Sequence, residues 1–385
     1  MIQFNRIRCQ VIALAAALGV ISLDASAVMQ APADRNDTVQ ATRDLGEPLG
    51  DVVIFDNASG GYDTSDSPKW GRNSWTCESD TDTATGACPT KPVWSIAGSS
   101  TVIKLSFKEK ETGAMSVLNL DGASAYIRRQ DCNGNIVPES VSTTRKPIES
   151  AMSITNECSL IPDGRSLFVK ISAAELKKLP SGGTWKANLR LNLRKWAAKD
   201  AETLAVFKAA ITLDTIDKNN IQIYLPEFTS ATPTVDLKLR TLPNGSRISG
   251  TSNVDMCLYD GYNAQSTWFD VSASDGLTID RRDKGSYSVL LDSDRSGAYA
   301  SRLDYNVSLT YAGKKIVLSN NETVRLEGVN NSTGRSVSLP GISVPVVCTP
   351  TPLTLETPEF QSVWKRPGKY SNKLTITFTP SSASL

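Results

Sequence analysis

The residues best able to do chemistry are six cysteines and one basic-aromatic run. Cys77, Cys88, Cys132, Cys158, Cys257 and Cys348 follow a seventh, Cys9, that lies in a leader segment. No pair has C-x-x-C spacing, so thioredoxin-type redox chemistry and zinc ribbons are poorly supported. An even number in an exported chain suggests three disulfides, with 15 possible pairings. Nearest-neighbour pairing is the simplest choice: 77–88, 132–158 and 257–348. Arg190, Arg194 and Lys195 follow strand alternation and cluster at a strand end beside Trp196. A cation beside an aromatic ring grips anionic or carbohydrate ligands. The competing reading is an ordinary solvated strand face.

Much chemistry is excluded. The chain has no histidine. That removes Ser-His-Asp and Cys-His catalysis and zinc sites built on imidazole. No G-x-S-x-G elbow, Walker A loop or dinucleotide fingerprint occurs. The acid clusters Glu78-Ser-Asp80-Thr-Asp82 and Asp292-Ser-Asp294 read as turn-forming loops, with a weak calcium site as the alternative for the first. No metal, cofactor or catalytic residue is expected. An exported carbohydrate-active enzyme on sandwich modules is the competing class, but no carboxylate dyad is evident for it. The balance of 41 Lys+Arg against 40 Asp+Glu gives no reason to bind nucleic acid.

These residues must be positioned by an exported, strand-rich chain. Residues 1–27 read as a secretory signal peptide. Arg6 and Arg8 form its basic start, Val11 to Leu23 its apolar stretch, and Ala25-Ser-Ala27 its cleavage site. At about 13 residues the apolar stretch is too short to span a bilayer. After it, period-two alternation recurs in Val102–Phe107, Trp185–Leu193, Ile221–Leu225, Val235–Leu239, Tyr305–Leu309 and Leu374–Phe378. Turn signals such as Asn57-Ala-Ser-Gly-Gly61 separate the runs. The one helical candidate is Ala173–Leu179. The expected fold class is all-β, as tandem antiparallel sandwiches. The polar stretch Asp214–Asn220 suggests a boundary, giving domains 28–217 and 218–385. Residues 28–48 show no periodicity and read as a loose N-terminus.

Several long stretches resemble the tip adhesin and initiator subunits of class 5, alternate-chaperone fimbriae, the CfaE/CblD-like family. They are Asn220-Ile-Gln-Ile-Tyr-Leu-Pro-Glu-Phe228, Val254-Asp-Met-Cys-Leu-Tyr-Asp-Gly-Tyr262, Ile342-Ser-Val-Pro-Val-Val-Cys348 and Ile376-Thr-Phe-Thr-Pro-Ser-Ser382. Gly86-Ala-Cys-Pro89, Ala174-Glu-Leu-Lys-Lys-Leu-Pro180 and Gly183-Thr-Trp185 match in the first half. The resemblance implies two immunoglobulin-like sandwiches. The first would be an adhesin domain that binds a host-surface receptor, often a glycan. The second would be an incomplete pilin domain whose missing strand comes from a periplasmic chaperone, then from the major fimbrial pilin subunit. Assembly would pass an outer-membrane usher and leave the chain at the fimbrial tip on the bacterial surface. Arg72 and Lys195 fall on basic positions of the family's receptor patch. Trp196 stands where a third arginine is found there. The resemblance, together with the run Arg194-Lys-Trp196 at the strand end, points to Arg72, Arg194 and Lys195 as the receptor site, with Trp196 as a stacking platform. A non-adhesive initiator that caps the fibre, and a periplasmic pilus chaperone, are the other readings. The mature length and three expected disulfides fit the chaperone poorly.

Overall fold

The computed structural model describes residues 28–153, 161–197, 201–230, 232–243 and 245–384. The leader and Cys158 lie outside them, and with Cys158 the 132–158 pairing. Among these residues the chain is all-β, as two sandwiches in tandem.

Residues 29–216 build one eleven-stranded sheet folded into two layers. One layer holds Val52–Asp63, Gly164–Ile171, Met115–Gln130 and Thr101–Glu109; the other holds Gly183–Arg194, Thr203–Ile216 and Arg35–Asp44. The layers join at a corner where only Trp185↔Glu109 and Lys186↔Lys108 pair. Alternation explains the packing. Ile103, Leu105 and Phe107 from one layer meet Leu189, Leu191, Leu193 and Phe207 from the other, all fully buried. Trp185 fills the corner and donates its indole N–H to the Ser181 carbonyl at 3.2 Å. The helical candidate forms a single turn, Ala173–Leu176, capped by the Ser172 hydroxyl, which accepts from the Glu175 N–H.

Two expectations in this half are corrected. Residues 35–44 are not loose: Arg35–Asp44 pairs in parallel with Phe207–Ile216, residue by residue. Its side chains are mostly polar, so periodicity is faint. The backbone ladder and the inward Val39 and Ala41 hold it. The Asn57–Gly61 signal is not a turn either. It lies inside the Val52–Asp63 strand, where Asn57 (φ 49°) and Gly61 (φ 88°) absorb register shifts as bulges.

Residues 222–380 form the second sandwich. Its core joins Val254, Met256, Leu258, Phe269, Val271, Tyr287, Tyr305, Val307 and Leu309. Cys257 bonds Cys348 with Cα atoms 5.7 Å apart, tying an early strand to a late one. Cys77 bonds Cys88 across a Cα separation of 5.2 Å. The two sandwiches touch through glycine. A Cβ on Gly182 would lie 1.9 Å from the Gly261 carbonyl oxygen, so only hydrogen fits there. The Asn263 side chain donates to the Gly182 carbonyl at 2.7 Å, and its oxygen accepts from the Val347 N–H at 2.9 Å.

A third expectation fails here. Val235–Leu239 alternates like a strand, yet only Leu239–Thr241 is in a ladder. Val235 and Leu237 do face the core, half-buried. What residues 233–238 lack, among the described residues, is a neighbour to pair with, since strand geometry needs a partner ladder as well as a pattern. The Cys257–Cys348 bridge closes 91 residues of chain. Cys257→Ser with Cys348→Ser should lower stability by about 2–4 kcal/mol, more than loss of the Cys77–Cys88 bridge. Denaturant unfolding of both double variants checks this order.

Candidate functional site

Two features of this fold can recognise something: a cation-aromatic patch on the first sandwich and an apolar groove in the second. The patch begins with strand register. Ser74–Thr76 pairs antiparallel with the end of Gly183–Arg194, setting Ser74 opposite Arg194. The antiparallel course then carries Arg72 back toward Trp196. Gly71 fixes the approach, because a Cβ there would lie 1.8 Å from the Pro162 carbonyl oxygen. Arg72 is half-buried, and its guanidinium carbon sits 5.4 Å from the centre of the Trp94 ring. Its Nε donates to the Ser153 hydroxyl at 3.4 Å. The Trp94 ring in turn meets Trp196 at 5.4 Å between centres, tilted 49°.

The four sequence candidates thus divide. Arg72 and Trp196 come together, bridged by Trp94. Lys195 is exposed directly beside Trp196, with its backbone N–H donated to the Glu202 carbonyl at 2.9 Å. Arg194 follows the outer face of its strand and donates to the Thr203 hydroxyl, its register partner.

Trp94 is the residue that sequence reasoning missed. It sits in Pro92-Val-Trp-Ser-Ile96, just past Cys88, with no alternation to mark it. Its signal is a large aromatic in a proline-flanked loop beside a disulfide. Trp94 is 44% exposed, with Val93 and Ile96 exposed beside it, a patch of apolar side chains in water. Val93 anchors the loop: its N–H donates to the Glu149 carbonyl at 3.0 Å, and its carbonyl accepts from the Ala151 N–H at 2.8 Å. The Cys77–Cys88 bridge fixes the other end. The acid cluster inside that bridge behaves as a turn: Glu78 pairs with Arg190 at 2.6 Å, and Asp82 accepts from the Ala84 N–H. No group of three metal-ligating side chains occurs among the described residues.

The groove in the second sandwich encloses about 1050 Å³. Leu225, Val235 and Leu237 line one wall, Leu374 and Ile376 the other, and Val289 and Leu355 are among its other lining residues. The unladdered segment 233–238 contributes Pro233, Val235 and Leu237 to the lining. The strand Thr375–Pro380 contributes Thr375 and Ile376; it is the last strand of its three-stranded sheet and among the described residues pairs on one side alone, with Trp268–Ser274. Two segments that lack a full set of ladder partners therefore line an apolar trough, a geometry that can accept an added strand.

The patch yields a direct expectation. Arg72→Ala, Lys195→Ala and Trp94→Ala should leave the melting temperature within about 2 °C of the parent, because surface substitutions change stability little. For a ligand held there by charged hydrogen bonds and ring stacking, each should weaken binding by about tenfold or more. A binding titration paired with thermal melts checks both halves.

The comparisons with known proteins agree with this architecture. The family model for the first domain of the CFA/I fimbrial protein CfaE matches residues 24–218, and the model for its second domain matches residues 221–382. CfaE of Escherichia coli itself is 32% identical over 323 residues, 82% of each chain. The crystal structure of CfaE, the adhesive subunit of CFA/I fimbria of enterotoxigenic Escherichia coli, superposes with a TM-score of 0.74 at 29% identity. It covers 92% of this chain and 94% of that one. A chaperone-tip adhesin complex of CFA/I fimbriae biogenesis superposes with a TM-score of 0.68 at 28% identity, covering 92% and 98%. Both sandwiches, in order and over nearly their full length, are shared with these proteins: the chain belongs to the CfaE family of CFA/I fimbrial subunits.

Proposed function

We propose that this chain is a fimbrial tip adhesin with two divided tasks. Residues 28–217 bind a host-surface receptor, and residues 218–385 join the chain to the fibre by accepting a strand. The observation that carries the reading is the groove: a core trough of about 1050 Å³ lined by two segments that lack a full set of ladder partners. A segment with alternating apolar side chains would fill it, pairing with residues 233–238 on one side and Thr375–Pro380 on the other. A periplasmic chaperone offers that segment first, and the N-terminus of the major pilin subunit replaces it at the outer-membrane usher. The relative seen in a chaperone-tip adhesin complex supports the first step. The chain acts by binding, as an adhesin at the fimbrial tip on the cell surface, and not as an enzyme.

The receptor we infer is a glycan with an acidic group. Trp94 and Trp196 offer rings for a sugar face, and Arg72 and Lys195 offer charge for a carboxylate or sulfate. Arg194 contributes least, since its guanidinium is turned to Thr203.

The experiment is complementation in cis. Residues 218–385 alone should aggregate, because an open apolar trough exposes core surface. The same residues with the major pilin's N-terminal strand fused after Leu385 should be monomeric, with a melting temperature higher by about 10 °C or more on the scale of about 4–8 °C per kcal/mol for small domains. A stable, monomeric unfused domain would refute the incomplete-sandwich reading.

A further inference from the structure

Behind the patch lies a buried cation. Arg165 sits in the strand Gly164–Ile171 and is fully buried, yet it forms no ion pair among the described residues. A guanidinium taken out of water is costly unless its five N–H groups are satisfied. Here four hydrogen bonds go to three backbone carbonyls and one hydroxyl. Nε donates to the Gly71 carbonyl at 3.2 Å. Nη1 donates to the Ser150 carbonyl at 2.7 Å and the Ser124 hydroxyl at 3.2 Å. Nη2 donates to the Met152 carbonyl, which also accepts from the Tyr126 hydroxyl at 2.7 Å. The Tyr126 ring, on the neighbouring strand and in register, faces the guanidinium at 4.6 Å. Burial lowers its pKa to about 10, so it stays charged at neutral pH.

Each carbonyl it holds adjoins a residue of the patch or one that contacts or anchors it. Gly71 precedes Arg72. Met152 precedes Ser153, which accepts from Arg72. Ser150 lies between Glu149 and Ala151, the two residues that anchor Val93 beside Trp94. Residues 151–153 have no strand ladder of their own. The guanidinium takes the place of that missing neighbour.

From this geometry we infer that Arg165 is the positioning residue of the receptor site: it clamps the Gly71, Ser150 and Met152 carbonyls so that Arg72 and Trp94 are held ready for an anionic sugar. The charge of Arg165, with no carboxylate paired to it among the described residues, also adds to the pull on the anion. The inference rests on the receptor reading for its ligand, but its geometric half is independent.

The test uses the full chain with Arg165→Lys and Arg165→Met. A lysine keeps the charge but cannot span three carbonyls, whereas methionine keeps most of the bulk and drops the charge. Two readouts follow. The first is the exciton couplet in circular dichroism from the Trp94–Trp196 pair, identified by its loss in Trp94→Phe. The second is binding to immobilised sialyllactose. Arg165→Lys should fold, shrink the couplet, and weaken binding by about tenfold, as for loss of a charged hydrogen-bond network. Adding Arg165→Lys to Arg72→Ala should cost less than the sum of the two single losses, because Arg165 acts in part through Arg72 and in part through Trp94. An unchanged couplet and unchanged binding in either variant would overturn the inference, as would additive losses. Unfolding of Arg165→Lys would return the residue to the core alone and also overturn it. A parent that ignores sialyllactose while the couplet collapses in both variants would remove the acidic-glycan reading and keep the clamp.

Discussion

Backbone groups at the edge of a buried core need partners, and in the second sandwich one row of them goes without. Residues 233–238 have no ladder and Thr375–Pro380 pairs on one side alone, and both contribute side chains to one apolar trough among the described residues. Much else follows from that unmet requirement. The half-buried Ile223, Leu225, Phe228, Val235, Leu237, Leu374 and Ile376 line up around it, neither in the core nor free of it. Filling it would bury them, at about 25 cal/mol per Å² of apolar surface removed from water. On the proposed reading, a subunit built this way is incomplete by itself, and that incompleteness is what lets it join a fibre.

The first sandwich solves the opposite problem. Its core is closed by two layers that meet at a corner of two residue pairs, and it gains a parallel strand from Arg35–Asp44. What it leaves open is its surface, where Arg72, Trp94 and Trp196 are stacked in a row. Rigid elements hold that row from behind: the Ser74–Thr76 ladder, the Cys77–Cys88 bridge and the Arg165 guanidinium. Such preorganisation favours binding because little side-chain freedom remains to be lost.

Much of this was legible in the residues. Strict alternation in Val102–Phe107 and Trp185–Leu193 marked strands that are present, and the pairings 77–88 and 257–348 are bonded. Alternation reports burial and not pairing, however. That is why Val235–Leu239 read as a strand although residues 233–238 have no ladder. The same limit hid Arg35–Asp44, whose long ladder carries mostly polar side chains. Of the patch, Arg72 and Trp196 stood out by type and resemblance. Trp94 and Arg165 did not, because a loop aromatic and a lone strand arginine gain meaning only from what lies across the fold.

Hydrogen exchange of the Thr234–Leu237 amides tests the central claim most directly. In the free chain these N–H groups have no ladder partner and should exchange within seconds at neutral pH, as open edges do. Bound to the pilin's N-terminal strand, alternate amides of this run, those turned to the added strand, should slow by about a hundredfold or more, in step with the new ladder. Strong protection in the free chain, unchanged by the added strand, would contradict the account.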